Sequence, residues 1–428
     1  MDRCKFYVID PIHGAIDIPP FIAQIFNEKA IRRMMFIRQL GLKAYIDFPG
    51  AIHTRYSHAL GVMHLAQKLT DLLKESGNED IRSILEGSKN AIISAGFLHD
   101  LGHGPFSHVG DYVLEKVANK THVEMTEEII RDKFEEYFIK STINMDSVIN
   151  IIKGKFDYPF VHQIIDSQID VDRLDYLLRD AYFVGLKYSF DLDKFVREIK
   201  IIGEDYNPEE CELGLKNTPE AIVTTEIFFI IRRSMYQLVY NIKDSRIAEK
   251  MLEKALILEC EKGNSELKEY FTNIEKFVNL NDEFLLEYLE KNGNSFSKNI
   301  VEDIRRTRLY EEIKSYDLSE LTGIIKEDMY PNDKTAHTLS EKLCEKLTLD
   351  PFKIIVDIIR IDKPKDVHLE PKEEGEELKS IGDVSKIIHA IDDVIMFKIY
   401  VDPTVKKDKN LNTEYVDKAF KDVLGDVE

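Results

Sequence analysis

A chain of 428 residues with 43% hydrophobic and 32% charged side chains can bury a large core and has the balance of a globular protein. Its formal net charge of −20 argues against nucleic acid or an anionic membrane as the main partner, because such binding depends on Lys and Arg neutralising phosphates. Four scattered cysteines (Cys4, Cys211, Cys260, Cys344) exclude a zinc ribbon, and neither an apolar leader nor a run of about 18 apolar residues is present, so a soluble, cytoplasmic protein is expected.

Residues 5–18 read as a hairpin, with strand-like KFYVID and AIDI around Pro11 to Gly14. Residues 19–40 look helical, with Phe21, Ile22, Ile25 and Phe26 on one face and a second apolar set, Ile31, Met34, Met35 and Ile37, before Gln39. A Pro49-Gly50 turn should place residues 51–57 at a surface or pocket edge. Residues 53–77 form the clearest amphipathic helix of the first quarter, with Leu65, Leu69, Leu72 and Leu73 as its stripe and Gly77 as C-cap. Arg55 and His58 fall at its start, and His64 reads as structural or exposed.

AIISAGFLHDLGHGPFSH, residues 91–108, carries His99, Asp100, His103 and His108 directly after an apolar run. In a continuing helix His99 and His103 would share a face one turn apart, until Gly102, Gly104 and Pro105 break it. Those glycines would let backbone and a bound anion approach closely. Nine of the twelve histidines lie in the first 162 residues, a clustering that scattered surface histidines would not produce.

Thr121 with Glu124 fits a capping box, which makes His122 the first helical residue, beside free N–H groups and the positive end of the dipole. That position favours a neutral imidazole, so a proton-donating role there needs a carboxylate, for which Asp111 is the candidate. Residues 161–186 have helical periodicity but crowd Asp166, Asp170, Asp172, Asp175 and Asp180 together. A cation, or Arg173 and Arg179, must compensate, and an Asp/Arg ladder is the plain reading for Asp166 and Asp175. Residues 219–262 read as a long buried helix interrupted by Arg232, Tyr240, Asn241 and Lys243, where a buried guanidinium needs an anionic partner. Residues 263–345 look charged and helical. After 346, KIIVDIIRID and MFKIYVDP read as strands around the helix SIGDVSKIIHAID, with an acidic linker PKEEGEELK. The organisation expected is a 1–260 core with an N-terminal hairpin, a 261–345 helical extension and a 346–428 α+β region.

His58, His99, Asp100 and Asp172 together offer two imidazoles and two carboxylates. Such a mixed set suits one divalent ion, Fe, Mn, Zn, Ni or Mg, without selecting among them. An ion with open positions binds a phosphate oxygen and activates water, leaving His103, His108 and His122 for proton transfer or phosphate contact.

The pattern H…HD…D, carried by RYSHALGV, AGFLHDLGHGPFSH, HVEMTEEII and DVDRLDYLLRD in that order, resembles the HD metal-dependent phosphohydrolases. More closely, it resembles the deoxynucleoside triphosphate triphosphohydrolases among them, both bacterial members and the vertebrate member with a SAM domain. PIHGAIDI, IRQLG and FPGAIHTRYSH extend the resemblance, which is continuous over about residues 6–190, recurs at 226–243 and is weak beyond 260. It implies a mainly α fold, an HD helical core with a small α+β C-terminal region. It also implies hydrolysis of a dNTP to a deoxynucleoside and tripolyphosphate, and a homo-oligomer, dimer or tetramer.

By the same resemblance His58, His99, Asp100 and Asp172 would ligate the metal, and His122 with Asp111 would be the acid/base unit. His103 would contact the α-phosphate and His108 would line the base and α-phosphate region. Arg55, Arg173 (where the family often has Lys) and Arg232 would hold the triphosphate. Gln39 and Asp180 would bind the sugar 3′-OH. Tyr176 and Tyr240 would pack on the deoxyribose, with Tyr176 crowding any 2′-OH, and Asn241 stands where Gln is frequent. In the vertebrate member an Asp, a Gln and an Arg before the QLG motif recognise an activating guanine nucleotide. Here those places hold Asn27, Arg32 and Met35, which cannot read a guanine edge in that way. Two other readings stand beside this one: an HD phosphohydrolase of nucleoside monophosphates, ribonucleotides or cyclic nucleotides, and a nucleotide-binding regulatory protein with a degraded site.

Overall fold

Two strands open the chain, β1 (Tyr7–Asp10) and β2 (Gly14–Asp17), paired antiparallel. Asp10 closes the turn between them, its Oδ1 accepting from the N–H groups of Ile12 and His13 at 2.8 and 3.0 Å. The computed structural model describes residues 6–203, 207–261, 265–325, 331–373, 376–408 and 411–425. Cys4 and part of the acidic linker lie outside them, and Cys211, Cys260 and Cys344 are buried free thiols.

The helix expected over 19–40 is instead two short helices, Pro20–Ile25 and Lys29–Arg33, followed by a 3-10 turn at Met34–Phe36. At 100° per residue, Ile22, Ile25 and Phe26 face nearly opposite to Ile31 and Met34, yet all five are buried. One straight helix cannot bury both sets, so the chain breaks between them.

Helix α1 (Arg55–Ser76) starts at a reciprocal capping box of Thr54 and Ser57, buries Leu65, Leu69 and Leu73, and ends at Gly77 in extended backbone. Helix α2 (Glu79–Leu98) is capped by Asn78 and packs along α1. Helix α3 (His108–Ala118) follows a tight loop, and α4 (His122–Lys140) starts at the Thr121–Glu124 box read from the sequence. Helix α5 (Val171–Val184) is capped by Asp170 and ends at Gly185, whose φ of +78° suits glycine. The segment read as one helix over 219–262 is α6 (Pro219–Met235), a π turn at Tyr236–Tyr240, and α7 (Lys243–Glu261). The remaining labelled helices are α8 (Asp282–Asn292), α9 (Asp333–Lys346) and α10 (Thr413–Gly425). The protein is mainly α-helical, as expected, and no described helix is long and apolar enough to cross a membrane.

Two further sheets lie in the second half. Strands β3 (Ile199–Ile202) and β4 (Glu212–Leu215) pair antiparallel. Strand β5 (Glu311–Asp317) pairs with a strand far along the chain. The remaining strands are β6 (Ile354–Ile361), β7 (His368–Leu369), β8 (Lys379–Ser380) and β9 (Val394–Val401). The sheet orders are β3-β4-β7-β8 and β5-β9-β6. Strand β5 corrects the expectation of helix throughout 263–345. EEIKSYD is an edge strand, half-exposed along most of its length, so its polar composition resembles a surface helix until pairing with β9 decides the matter. The C-terminal α+β unit therefore begins near residue 311 rather than 346. Its core, Leu339, Leu343, Ile354, Val356, Phe397, Ile399, Val416 and Phe420, is separate from the main one.

An ionic seam joins the two cores. Helix α7 is buried on nearly all sides, charged positions included. Lys43 meets Glu249, Lys250 meets Glu253 and Asp333 at 2.9 Å, and Arg246 grips Asp357 through Nε and Nη2, both at 2.9 Å. Truncating one partner leaves the other charge buried and unpaired. Arg246→Ala should cost about 3–5 kcal/mol in urea unfolding, and replacing both partners with apolar residues should recover most of it.

Candidate metal centre

His58, in the first turn of α1, is held from behind. Its Nδ1 lies 2.7 Å from Asp175 Oδ2, a carboxylate that also accepts from Arg179 Nε and Nη2 at 2.8 and 2.9 Å and from His13 Nε2 at 2.6 Å. Four donors saturate that carboxylate, so His58 Nδ1 bears a proton and Nε2 is the ring nitrogen left to face inward. His99, at the C-cap of α2, repeats the arrangement with backbone: Nδ1 donates to Gly96 O at 2.9 Å. Its Nε2 is buried with no hydrogen-bond partner. Asp172 Oδ1 stands 2.9 Å from His58 Nε2 and 3.7 Å from His99 Nε2. The three donor atoms lie within 4.8 Å of one another. Two imidazole lone pairs and a carboxylate converging on one point, one nitrogen otherwise orphaned, fit a divalent cation.

Asp100 bridges to a second group. Its Oδ1 is 3.2 Å from His99 Nε2 and 3.1 Å from His103 Nε2, and its Oδ2 accepts from Arg55 Nη1 at 2.7 Å. Burial works against its charge, but Arg55, His99 and His103 outweigh it and hold the carboxyl well below the usual range. His103 Nδ1 pairs with Asp111 Oδ2 at 2.7 Å, and the His103 ring stacks on His122 with centroids 4.1 Å apart. Asp111 thus hydrogen-bonds His103, and donor atoms of His103, Asp111 and His122 all lie within 4.8 Å of one another. Burial and Arg55 press against charge on His103, yet Asp111 and Asp100 leave its pKa raised. Burial and the neighbouring His103 push His122 down to about 3, the neutral ring expected of its helix position. His99 and His103 do not share a helix face, because α2 ends at Leu98 and His103 lies in the following loop.

On the far side of His58, Tyr176 meets Tyr240 edge-on at 6.1 Å. Tyr240 donates to Asp180 Oδ2 at 2.8 Å, and His53 Nε2 holds Asp180 Oδ1 at 2.7 Å. Gln39 Oε1 is buried without a partner. Arg232 lies over the Tyr236 ring at 5.5 Å, and its Nε is likewise buried and unpartnered. Arg55 and Arg173 are engaged by Asp100 and Asp170. Asn241 is turned away from a contact role: its Nδ2 donates to Tyr236 O at 3.0 Å and closes the π turn. The His108 side chain is 77% exposed, 3.9 Å from Asp111.

A model of the HD domain matches residues 55–180, and one of the HD associated region matches residues 190–425. The chain belongs to the HD-domain family. An uncharacterized protein of Methanocaldococcus jannaschii is 30% identical over 359 residues, covering 83% of this chain and 69% of that protein. Deoxynucleoside triphosphate triphosphohydrolase SAMHD1 of Gallus gallus is 28% identical over 408 residues, 82% of this chain and 63% of that one. The SAMHD1 homolog of Dictyostelium discoideum is 28% identical over 318 residues, 71% of this chain and 59% of that protein. The chain thus spans about three-fifths of the curated triphosphohydrolases it matches. A crystal structure of a hypothetical protein from Aquifex aeolicus superimposes with a TM-score of 0.74 at 26% identity, over 95% of this chain and 98% of that one.

The HD motif accounts for the ligands but not for what holds them. Asp175 and Arg179 do form the ladder read from the sequence, and it is anchored on His58. Arg33 is buried and donates to Leu280 O, Leu101 O and His103 O at 2.7, 3.3 and 2.6 Å, pinning the HD loop from outside. Burial lowers its pKa to about 9. Asp282, at the start of α8, accepts from the N–H groups of Arg38 and Phe106 at 2.9 and 2.7 Å. Neither partnership has a local sequence signal: Arg33 follows another arginine, Arg32, and Asp282 precedes Glu283 at a helix start.

The HD-loop glycines allow the close backbone approach expected of them. A Cβ on Gly104 would stand 2.7 Å from Gly110 Cα, and one on Gly102 would stand 2.0 Å from His122 O. Thr126 Oγ1 completes the joint, accepting from Gly102 N–H and donating to His99 O. Gly102→Ala should therefore displace His122 from His103. Hydrolytic turnover should fall about 100-fold while circular dichroism keeps its helical signal.

Proposed function

We propose that this HD-family protein is a divalent-metal-dependent phosphohydrolase that cleaves deoxynucleoside triphosphates to deoxynucleoside and tripolyphosphate. The observation that carries the reading is the adjacency of two groups. The His58–His99–Asp172 set and the stacked His103–His122 pair meet at Asp100, 3.2 Å from one and 3.1 Å from the other. The matches to curated deoxynucleoside triphosphate triphosphohydrolases support it.

A divalent cation held by His58, His99, Asp172 and Asp100 supplies a Lewis acid for a phosphate oxygen and a more acidic water. The rest belongs to the chain. His103, oriented by Asp111, holds a proton near the α-phosphate and leaving oxygen, with His122 as its stacked partner at a helix N-terminus. Arg232, whose Nε is buried without a partner, holds the polyphosphate together with Arg55 and Arg173. Tyr176 and Tyr240 pack against the deoxyribose, and Tyr176 crowds a 2′-OH. Gln39 and Asp180 take the 3′-OH, and His108 lines the open base side. Assembly as a dimer or tetramer is part of this reading.

One observation favours a runner-up. Arg55 and Arg173 are already paired with carboxylates, which leaves fewer free cations for a triphosphate and suits a nucleoside monophosphate or cyclic nucleotide. Product analysis with dNTP and NTP panels across Mn, Mg, Fe and Co separates the two. Tripolyphosphate from dNTPs supports the proposal, and orthophosphate supports the runner-up. His99→Ala should abolish turnover of either substrate by removing a ligand. Adding GTP to each dNTP should leave its rate unchanged within about twofold, because Asn27 lacks the anionic acceptor pair that reads a guanine edge and Met35 cannot donate a hydrogen bond. Strong GTP dependence would refute that expectation.

A further inference from the structure

The β1–β2 hairpin is weakly anchored by apolar contact. Tyr7 is 56% and Ile9 74% exposed, and of its strand residues only Ile16 is buried among apolar neighbours. Its turn nevertheless sends two polar side chains inward. His13, with a side chain 3% exposed, places Nε2 2.6 Å from Asp175 Oδ1. Asp10 caps the turn with Oδ1 and accepts from Arg179 Nη1 with Oδ2 at 2.7 Å. Both therefore end on the Asp175–Arg179 pair, whose remaining carboxylate oxygen grips His58 Nδ1. Helix α1 makes room at Gly61, where a Cβ would stand 1.9 Å from Asp175 Oδ1. Docking a hairpin on buried charges is a costly way to gain stability, since apolar residues of similar volume do as well or better. The arrangement is explained by what it does to His58.

We infer that the hairpin turn is a positioning device for the metal ligand His58, so that cation binding and hairpin docking are coupled. Rotation of Asp175 would swing the His58 ring and free its tautomer, and His13 with Asp10 prevents both. Two routes meet at Asp175, which accepts from His58: His13 donates to Asp175 directly, and Arg179 donates to both Asp10 and Asp175. Coupling of this kind is reciprocal: whatever tightens His58 around a cation also tightens Asp175 against the turn. The inference rests on the metal reading of the His58 set but not on the identity of the substrate.

The test uses Mn2+ alone with the full chain and reads binding, not turnover. His13→Ala should raise the Mn2+ Kd about tenfold, the lower end of what partners behind a metal ligand cost. His13→Gln, which keeps a donor, should recover part of that loss. Val416→Ala, in the separate C-terminal core, should lower Tm without moving the Mn2+ Kd. In the unaltered protein, Mn2+ should slow amide hydrogen exchange across residues 7–17, and His13→Ala should abolish that effect. This second measurement holds even if the alanine variant folds poorly. An unchanged Kd in His13→Ala, or hairpin exchange indifferent to Mn2+, overturns the coupling alone. Failure of the unaltered chain to bind any divalent ion overturns the metal reading and the coupling with it.

Discussion

Each imidazole of the candidate metal centre has one nitrogen committed from behind, and the rest of the structure serves that constraint. His58 spends Nδ1 on Asp175 and His99 spends Nδ1 on the carbonyl of Gly96. With the outer nitrogens committed as donors, the inner ones both face Asp172 Oδ1, at 2.9 and 3.7 Å. This convergence needs α1, α2 and α5 held at close range. Gly61 admits the Asp175–Arg179 pair against α1. Gly96 lets α2 approach so near that its Cβ would stand 3.2 Å from Ala66 Cβ. The glycines of these helices lower their intrinsic propensity, and the tight approach they allow sets the ligand geometry.

What the sequence made legible was local. The Thr121–Glu124 capping box, which places His122 at a helix start, depends on four consecutive residues and was read without error. The helix from Arg55 and the strands at 354–361 and 394–401 follow from periodicity within a single segment. The metal-ligand set was legible for a different reason. Its members come from remote parts of the chain, but the residue types a cation requires recur in a recognisable order. Their convergence in space was an expectation; donor atoms of His58, His99 and Asp172 lie within 4.8 Å of one another, and Asp100 Oδ1 stands 3.2 Å from His99 Nε2.

What was not legible depends on partners far away. Asp282 fixes the N–H of Phe106 from 176 residues further on, and Arg33 reaches His103 and Leu280, 70 and 247 residues further on. The hydrogen-bond partner of Asp111 is set by the path of the loop, because the sequence places it near both His103 and His122 and the fold brings all three together. That path passes through positive φ at Phe106 and Ser107, which no residue type at those places announces. Strand β5 was hidden for a related reason: an edge strand shows few apolar side chains, so its identity lies in β9, some eighty residues later.

The two halves of the site are supported by different parts of the chain, which suggests how its length is used. The cation-side ligands are backed through Asp175 by the N-terminal hairpin. The His103–Asp111 pair stands on the first turn of α3, and α3 packs against α7 within the HD associated region. Lys250 of α7 lies over the Tyr112 ring at 5.4 Å, one residue beyond Asp111, and the same lysine binds Asp333 at the start of α9. The C-terminal unit thus meets α7 through Lys250 and Arg246, and α7 in turn packs against α3. On the proposed reading, the hairpin governs whether a cation is held and the associated region governs whether the proton-carrying pair is aligned. That division gives the buried charges of α7 a purpose that stability alone does not, since an apolar seam would join the two cores at less cost.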